Sequence, residues 1–189
     1  MNEDLEFRPA RPADTARILE IIRQAQAQMR ALGSRQWQDG YPARENIDCD
    51  IARGWGYVFS KPAAETCGTA DTKAATVGNS GTVIAYGAIL FDGEPAYEAI
   101  EGAWLTGGDY VVLHRLAVAD GEKGRGVAAE FMRRVEAAAR ERGAGSFRVD
   151  TNFDNRYMLR LLERLGFAYC GKIHYESGER LAFEKPLGL

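Results

Sequence analysis

Lys123-Gly124-Arg125-Gly126-Val127-Ala128-Ala129 follows a β-branched run and opens an apolar stretch with helical spacing. Glycines let a backbone turn tightly and approach a ligand closely. The free N–H groups at a helix start, at the positive end of its dipole, suit an anion such as phosphate. Lys123 and Arg125 add cationic charge at the same point. The plain alternative is a helix start with a flexible turn, and three phosphate-binding readings compete with it. A P-loop needs Gly-Lys-Ser or Gly-Lys-Thr after a spaced first glycine, and that is absent. A dinucleotide fingerprint is nominally present, because Gly124, Gly126 and Ala129 satisfy G-x-G-x-x-A. Asp150 even follows close to the roughly 20-residue spacing of a ribose-binding acid. Against it, Ala119 to Lys123 separate the strand end from Gly124, and too little chain remains for the other parallel strands. The third reading is an acyl-CoA pyrophosphate loop, and the neighbouring residues favour it.

The elements around this turn are legible. Tyr110 to Val118 reads as a strand, and the helix after Gly126 runs to about Arg142, burying Val127, Phe131, Val135 and Ala138 or Ala139. Ser146 to Asp150 is a further strand. Asp154 or Asn155 caps a helix carrying Met158, Leu161, Leu162 and Leu165, and Gly166 stops it. Upstream, Ile18, Ile21, Ile22, Ala25, Met29 and Leu32 place a helix between Pro12 and Leu32. A short strand at Leu5–Arg8 precedes it, and a second helix spans Arg44 to Arg53. The loop Gln36 to Pro42 holds Trp37 and Tyr41, which either wall a pocket or anchor packing. Strands at Trp55–Phe59 and Thr82–Phe91 flank Lys61–Gly81, an Ala-, Thr- and Gly-rich stretch read as a flexible hairpin insertion. Two strand-like stretches follow Phe167. The order predicts one α/β (α+β) domain over 1–189, with a mixed, mostly antiparallel sheet.

Composition narrows the class. Of 189 residues, 46% are apolar and 27% charged, with 24 Lys and Arg against 27 Asp and Glu, net −3. One sizeable core fits that length. Near-balanced charge argues against a nucleic-acid coat or an anionic-membrane binder. Cys49, Cys67 and Cys170 form no close pair and no metal-ligand spacing, which fits a reducing cytoplasm. The acidic N-terminus leads into no apolar signal region, and the longest apolar stretches are strand-sized.

The chain resembles the GNAT superfamily of N-acetyltransferases. The resemblance rests on Leu113-His114-Arg115-Leu116-Ala117-Val118 and on Lys123-Gly124-Arg125-Gly126-Val127-Ala128, matching Gln/Arg-x-x-Gly-x-Gly/Ala with Lys123 in the first place. Asp150-Thr151-Asn152, Asp154-Asn155 and Leu162-Glu163-Arg164-Leu165-Gly166-Phe167 match the family's asparagine-to-Gly-Phe segment. It implies a twisted sheet with acetyl-CoA wedged between two splayed parallel strands. A β-bulge around Leu116, Ala117 and Val118 would pair with the pantetheine arm and the thioester carbonyl, and the amides from Gly124 to Ala129 would hold the pyrophosphate. Asn155 would contact the pantetheine arm, or simply cap its helix.

The implied reaction is direct transfer of an acetyl group to a primary amine of a small molecule or peptide, without a metal. It needs a neutral amine, a stabilised oxyanion and a protonated leaving thiolate. A branch of the family carries a histidine base at the position of His114, and an ordinary histidine pKa of about 6.5 suits that role. A structural hydrogen bond is the rival reading of His114, and Glu98 and Glu101 are weaker base candidates. Many members carry a tyrosine acid where this chain has Leu162, so Tyr157, Tyr169 or water would have to serve. That departure keeps a non-catalytic acyl-CoA-binding module in play. Trp37, Tyr41, Tyr97 and Trp104 are expected on the acceptor side. A homodimer is left open.

Overall fold

In the computed structural model, residues 5–62 and 81–188 are described. The hairpin insertion expected at Lys61–Gly81 therefore falls almost wholly outside them. The chain runs β1 (Glu6–Pro9), α1 (Thr15–Ala31), α2 (Arg44–Ala52), β2 (Gly56–Lys61), β3 (Thr82–Leu90), β4 (Glu101–Gly102) and β5 (Tyr110–Val118). It continues through α3 (Val127–Glu141), β6 (Ser146–Thr151), α4 (Arg156–Arg164), β7 (Ala168–Tyr175) and β8 (Gly178–Pro186). Among the described residues, eight strands form one open sheet in the order β1-β2-β3-β5-β6-β8-β7-β4. Every neighbouring pair is antiparallel except β5 and β6.

The periodicities explain the layers. Ile18, Ile21, Ile22 and Ala25 place one face of α1 on the sheet, where they pack with Ile47, Val58 and Tyr86. On the opposite face, Val127, Phe131 and Val135 of α3 join Leu161 and Leu162 of α4 against Phe59, Ile84 and Leu113. Each fully buried side chain of this size contributes about 1.5–3 kcal/mol. β3 lies between both layers and is buried from Val83 to Leu90. Pro12–Asp14 forms a short 3-10 turn before α1, and the Asp14 carboxylate takes both ends of the buried Arg8 guanidinium at 2.7 and 3.0 Å. β4 is an element the sequence did not announce. Its Gly102 lies so close to Gly171 of β7 that a Cβ would fall 2.2 Å from the Cys170 carbonyl oxygen.

Candidate active site

The parallel pairing of β5 with β6 is short. Tyr110, Val111 and Val112 register with Ser146, Phe147 and Arg148, while β5 continues along β3 to Val118. The strands separate there and leave a cleft of about 690 Å³. Leu116, Ala117 and Val118 line one side, and Asn155, Tyr157 and Met158 line the other.

A bulge shapes the β5 wall. Tyr86 faces Ala117 and Ala88 faces His114, so Gly87 alone answers Arg115 and Leu116. Such a bulge leaves backbone ladder groups unpaired. Gly87 is required by packing, since a Cβ would lie 2.9 Å from both Leu113 Cδ1 and Phe131 Cε1. Arg115 has φ of 57°, a left-handed conformation that costs a non-glycine residue about 1–3 kcal/mol. Its guanidinium offsets that cost. Nε and Nη2 donate to the two Asp50 carboxylate oxygens at 2.8 and 2.6 Å, and Nη1 donates to the Tyr41 hydroxyl at 2.6 Å. Burial alone would weaken the charged form of Arg115, but Tyr41 and Asp50 outweigh it and raise its pKa. The Tyr86 hydroxyl also donates to Asp50, at 2.6 Å, and burial beside that carboxylate keeps the phenol protonated.

At the other end of the cleft, Gly124 and Gly126 take φ of 76° and 82°, open to them without strain. Gly126 precedes the fifteen-residue α3 and supplies no capping side chain. Gly124, Gly126, Val127, Ala128 and Ala129 line the cleft with those uncapped amides, which fits a pyrophosphate. The expected cationic pair is arranged differently. Lys123 lines the cleft but its ammonium is held by Asp120, while Arg125 is 63% exposed beside Glu122 and outside the lining. Arg160 and Arg164 of α4 line the cleft too, with no ion pair among the described residues. Neither is among the candidate site residues read from the sequence.

A second cavity of about 900 Å³ adjoins the first, sharing Met29, Leu116, Asn155 and Met158 with it. His114 lines this second cavity, as do Trp37 and Tyr41. His114 Nε2 is 2.8 Å from Glu94 Oε2, and Nδ1 is 3.8 Å from Asp150 Oδ2, beyond direct hydrogen-bond reach. Asp150 Oδ2 also accepts from the Tyr97 and Tyr175 hydroxyls at 2.9 and 3.0 Å. Burial, then the neighbouring Asp150, raises the pKa of both phenols, so they act as donors. Glu94 and Asp150 were not proposed as partners of His114. Their positions, before a 3-10 turn and within a strand, carry no local signal of the contact.

The other candidates divide. Tyr97 and Trp104, expected on the acceptor side, do not line the second cavity. Tyr97 is 1% exposed, Trp104 Nε1 donates to its carbonyl at 3.0 Å, and their rings pack 5.1 Å apart as a support behind Asp150. Tyr157 is exposed and lines the first cleft, which His114 does not. Leu162 is fully buried in the core, and Tyr169 packs on Phe183 outside both cavities. Asn155 caps α4, its Oδ1 accepting from Met158 N at 3.2 Å, while its Nδ2 donates to Gln36 Oε1 at 3.0 Å. Asp154 takes hydrogen bonds from Ser34 Oγ at 2.7 Å and Arg35 N at 3.2 Å. Glu101 is exposed and 2.8 Å from His174, and Glu98 is exposed as well.

Glu94 gives the site a pH dependence. The hydrogen bond from His114 holds its carboxyl below the usual glutamate range against the effect of burial. A depressed carboxylate pKa contributes stability above the unfolded value, about 4.3, and loses it as pH falls through the folded value. Thermal unfolding from pH 7 to pH 3 is expected to show a midpoint that falls below about pH 4.5, less steeply in Glu94→Gln. Parallel curves for the two proteins would remove Glu94 as a contributor.

Known proteins share this architecture. The sequence profile of the acetyltransferase (GNAT) family matches residues 27–167. A GNAT-family acetyltransferase from Streptococcus agalactiae is 31% identical, with a TM-score of 0.79 over 97% of this chain and 96% of that one. A streptothricin acetyltransferase from Streptomyces lavendulae is 34% identical over 95 residues, 49% of this chain and 47% of that protein. The match thus spans about half the length of that curated relative. The fold also matches yncA from Salmonella typhimurium, solved with acetyl-CoA, at 16% identity and a TM-score of 0.62 over 99% of this chain and 96% of that one. With splayed strands, bulge and uncapped glycine turn in register with a matching family profile, the chain belongs to the acetyltransferase (GNAT) family.

Proposed function

We propose that the protein is an acetyl-CoA-dependent N-acetyltransferase acting by direct transfer on a primary amine of a small molecule or peptide. The observation that carries this is the junction of two cavities. The cleft bearing the uncapped α3 amides meets the cavity bearing His114 at Leu116, Asn155 and Met158. Bound acetyl-CoA would supply a thioester acetyl group at that junction. Gly124 to Ala129 would hold its pyrophosphate through backbone N–H groups, with Arg160 and Arg164 nearby for further phosphate charge. The bulge at Arg115–Leu116 offers unpaired backbone groups for its pantetheine arm.

On the other side, Glu94 keeps the proton on His114 Nε2, which leaves Nδ1 to accept one from the incoming amine, directly or through water. Asp150 beside it favours a cationic amine arriving, and Trp37 and Tyr41 supply apolar walls. Leu162 contributes no proton, so water or Tyr157 protonates the departing thiolate. A thiol is acidic enough, by analogy with cysteine near 8.5, for turnover without a dedicated acid.

Isothermal titration with acetyl-CoA is expected to show binding in the micromolar range. No heat at high micromolar concentration would sink the reading. Thiol release should then be screened over alkylamines, amino acids, peptide N-termini, aminoglycosides and streptothricin, the last because a relative carries that name. Tight acetyl-CoA binding with no thiol release from any amine would identify a non-catalytic binding module instead.

A further inference from the structure

Arg115 occupies a backbone position, φ 57°, that glycine would fill without strain. A long cationic side chain in that place is explained by what it reaches. Asp50, 3% exposed on α2, receives two parallel bonds from it at 2.8 and 2.6 Å, the fork geometry that arginine offers and lysine lacks. Its remaining nitrogen, Nη1, reaches the Tyr41 hydroxyl at 2.6 Å. Asp50 is fully engaged by this arrangement, with the Tyr86 hydroxyl sharing Oδ2. The backbone of Arg115 thus sits in the bulge next to Leu116, which lines both cavities, while Arg115 itself and Tyr41 line the second one.

We propose that Arg115 is a positioning residue for both substrates, its Asp50-clamped guanidinium fixing the bulge on one side and Tyr41 on the other. The inference rests on the acetyltransferase reading, which gives the bulge its cofactor and the cavity its amine. Asp50 and Arg115 lie far apart in the sequence, and the pair joins α2 to the middle of β5. A single clamp therefore sets the spacing between the two cavities where they adjoin.

Substitution by glycine and by alanine separates the two roles. Arg115→Gly keeps the left-handed backbone free of strain, whereas Arg115→Ala retains the strain and has nothing to offset it. Acetyl-CoA, titrated calorimetrically, is expected to bind Arg115→Gly within about twofold of the parent and Arg115→Ala about tenfold more weakly, a tenfold change being about 1.4 kcal/mol. A residue that only stabilised the fold would leave the acetyl-CoA affinity of both folded variants near that of the parent. Amide hydrogen exchange reads the other half without needing an acceptor. Residues 36–41 should exchange about tenfold faster (a loss of about 1.4 kcal/mol of local protection) in Arg115→Gly and in the milder Tyr41→Phe, with β3 and β8 unchanged.

Equal acetyl-CoA affinity in the glycine and alanine variants would overturn the backbone role. Unchanged exchange in the loop would overturn the side-chain role. If the parent protein binds no acetyl-CoA, the acetyltransferase reading fails, and the exchange experiment still decides whether Arg115 holds Tyr41.

Discussion

Replacing His114 with alanine is expected to lower kcat/KM by about 100- to 10,000-fold, the range that a positioned general base supplies. The expectation comes from the arrangement around the ring. Glu94 occupies Nε2 at 2.8 Å, so the tautomer with its proton on Nε2 is favoured and Nδ1 keeps its lone pair. That lone pair faces the gap toward Asp150, 3.8 Å away, inside the cavity where an amine would arrive. His114→Ala should also flatten the acidic limb of the pH–rate profile, because the group whose protonation blocks the reaction is gone. Glu94→Gln is the informative companion. It leaves an acceptor within reach of Nε2 but removes the charge, and should cost less than removing the ring. If His114→Ala keeps its rate and profile while Asp150→Asn loses both, the base is Asp150.

The second large effect is on stability. Arg148→Ala is expected to destabilise the fold by about 3–5 kcal/mol, the cost of stranding one member of a buried ion pair. For a chain of this size the melting temperature would fall on the order of 10 °C. Arg148 Nε donates to Glu184 Oε1 at 3.0 Å and Nη2 donates to the Thr106 carbonyl at 2.8 Å. Its guanidinium lies between the rings of Trp104 and Tyr110, 4.4 and 3.9 Å from their centroids. Glu184 is 0% exposed and also takes bonds from Leu105 N, Thr106 N and Thr106 Oγ1. Removing the arginine leaves that carboxylate in the core without a counter-charge. The double variant Arg148→Met with Glu184→Leu should recover much of the loss, since a pair replaced by apolar groups strands no charge. A loss below about 1 kcal/mol in Arg148→Ala would mean that the pair behaves like a surface one.

Local features of this protein were readable and distant pairings were not. The glycine turn, the helix after it and the Asn155 cap are set by residues a few positions apart, and they appear where periodicity and cap chemistry place them. The order of strands and helices likewise follows from alternation and turn residues, and from it the mixed sheet. The site's polar groups obey no such rule. Asp50 meets Arg115 across 65 positions, and Glu94 meets His114 across 20, so each contact exists only after the sheet has formed. Aromatic composition was the weakest guide. Trp37 and Tyr41 line a cavity while Tyr97 and Trp104 support it from behind, a difference of side-chain direction that residue type does not encode. Charge misled in the same manner: Lys123 and Arg125 answer Asp120 and Glu122 on their own turn. Arg160 and Arg164 reach the cleft from a helix that arrives later in the chain.

The short parallel pairing of β5 with β6 has a mechanical meaning. It divides the sheet into two antiparallel panels, β1-β2-β3-β5 and β6-β8-β7-β4, joined along three residue pairs. At the open end of that joint, the bonds of Ser34 and Arg35 to Asp154 and of Asn155 to Gln36 act as stitches between the panels. A ligand lying in the gap would touch both panels and become part of the joint, so that ligand affinity and the rigidity of the whole sheet rise together.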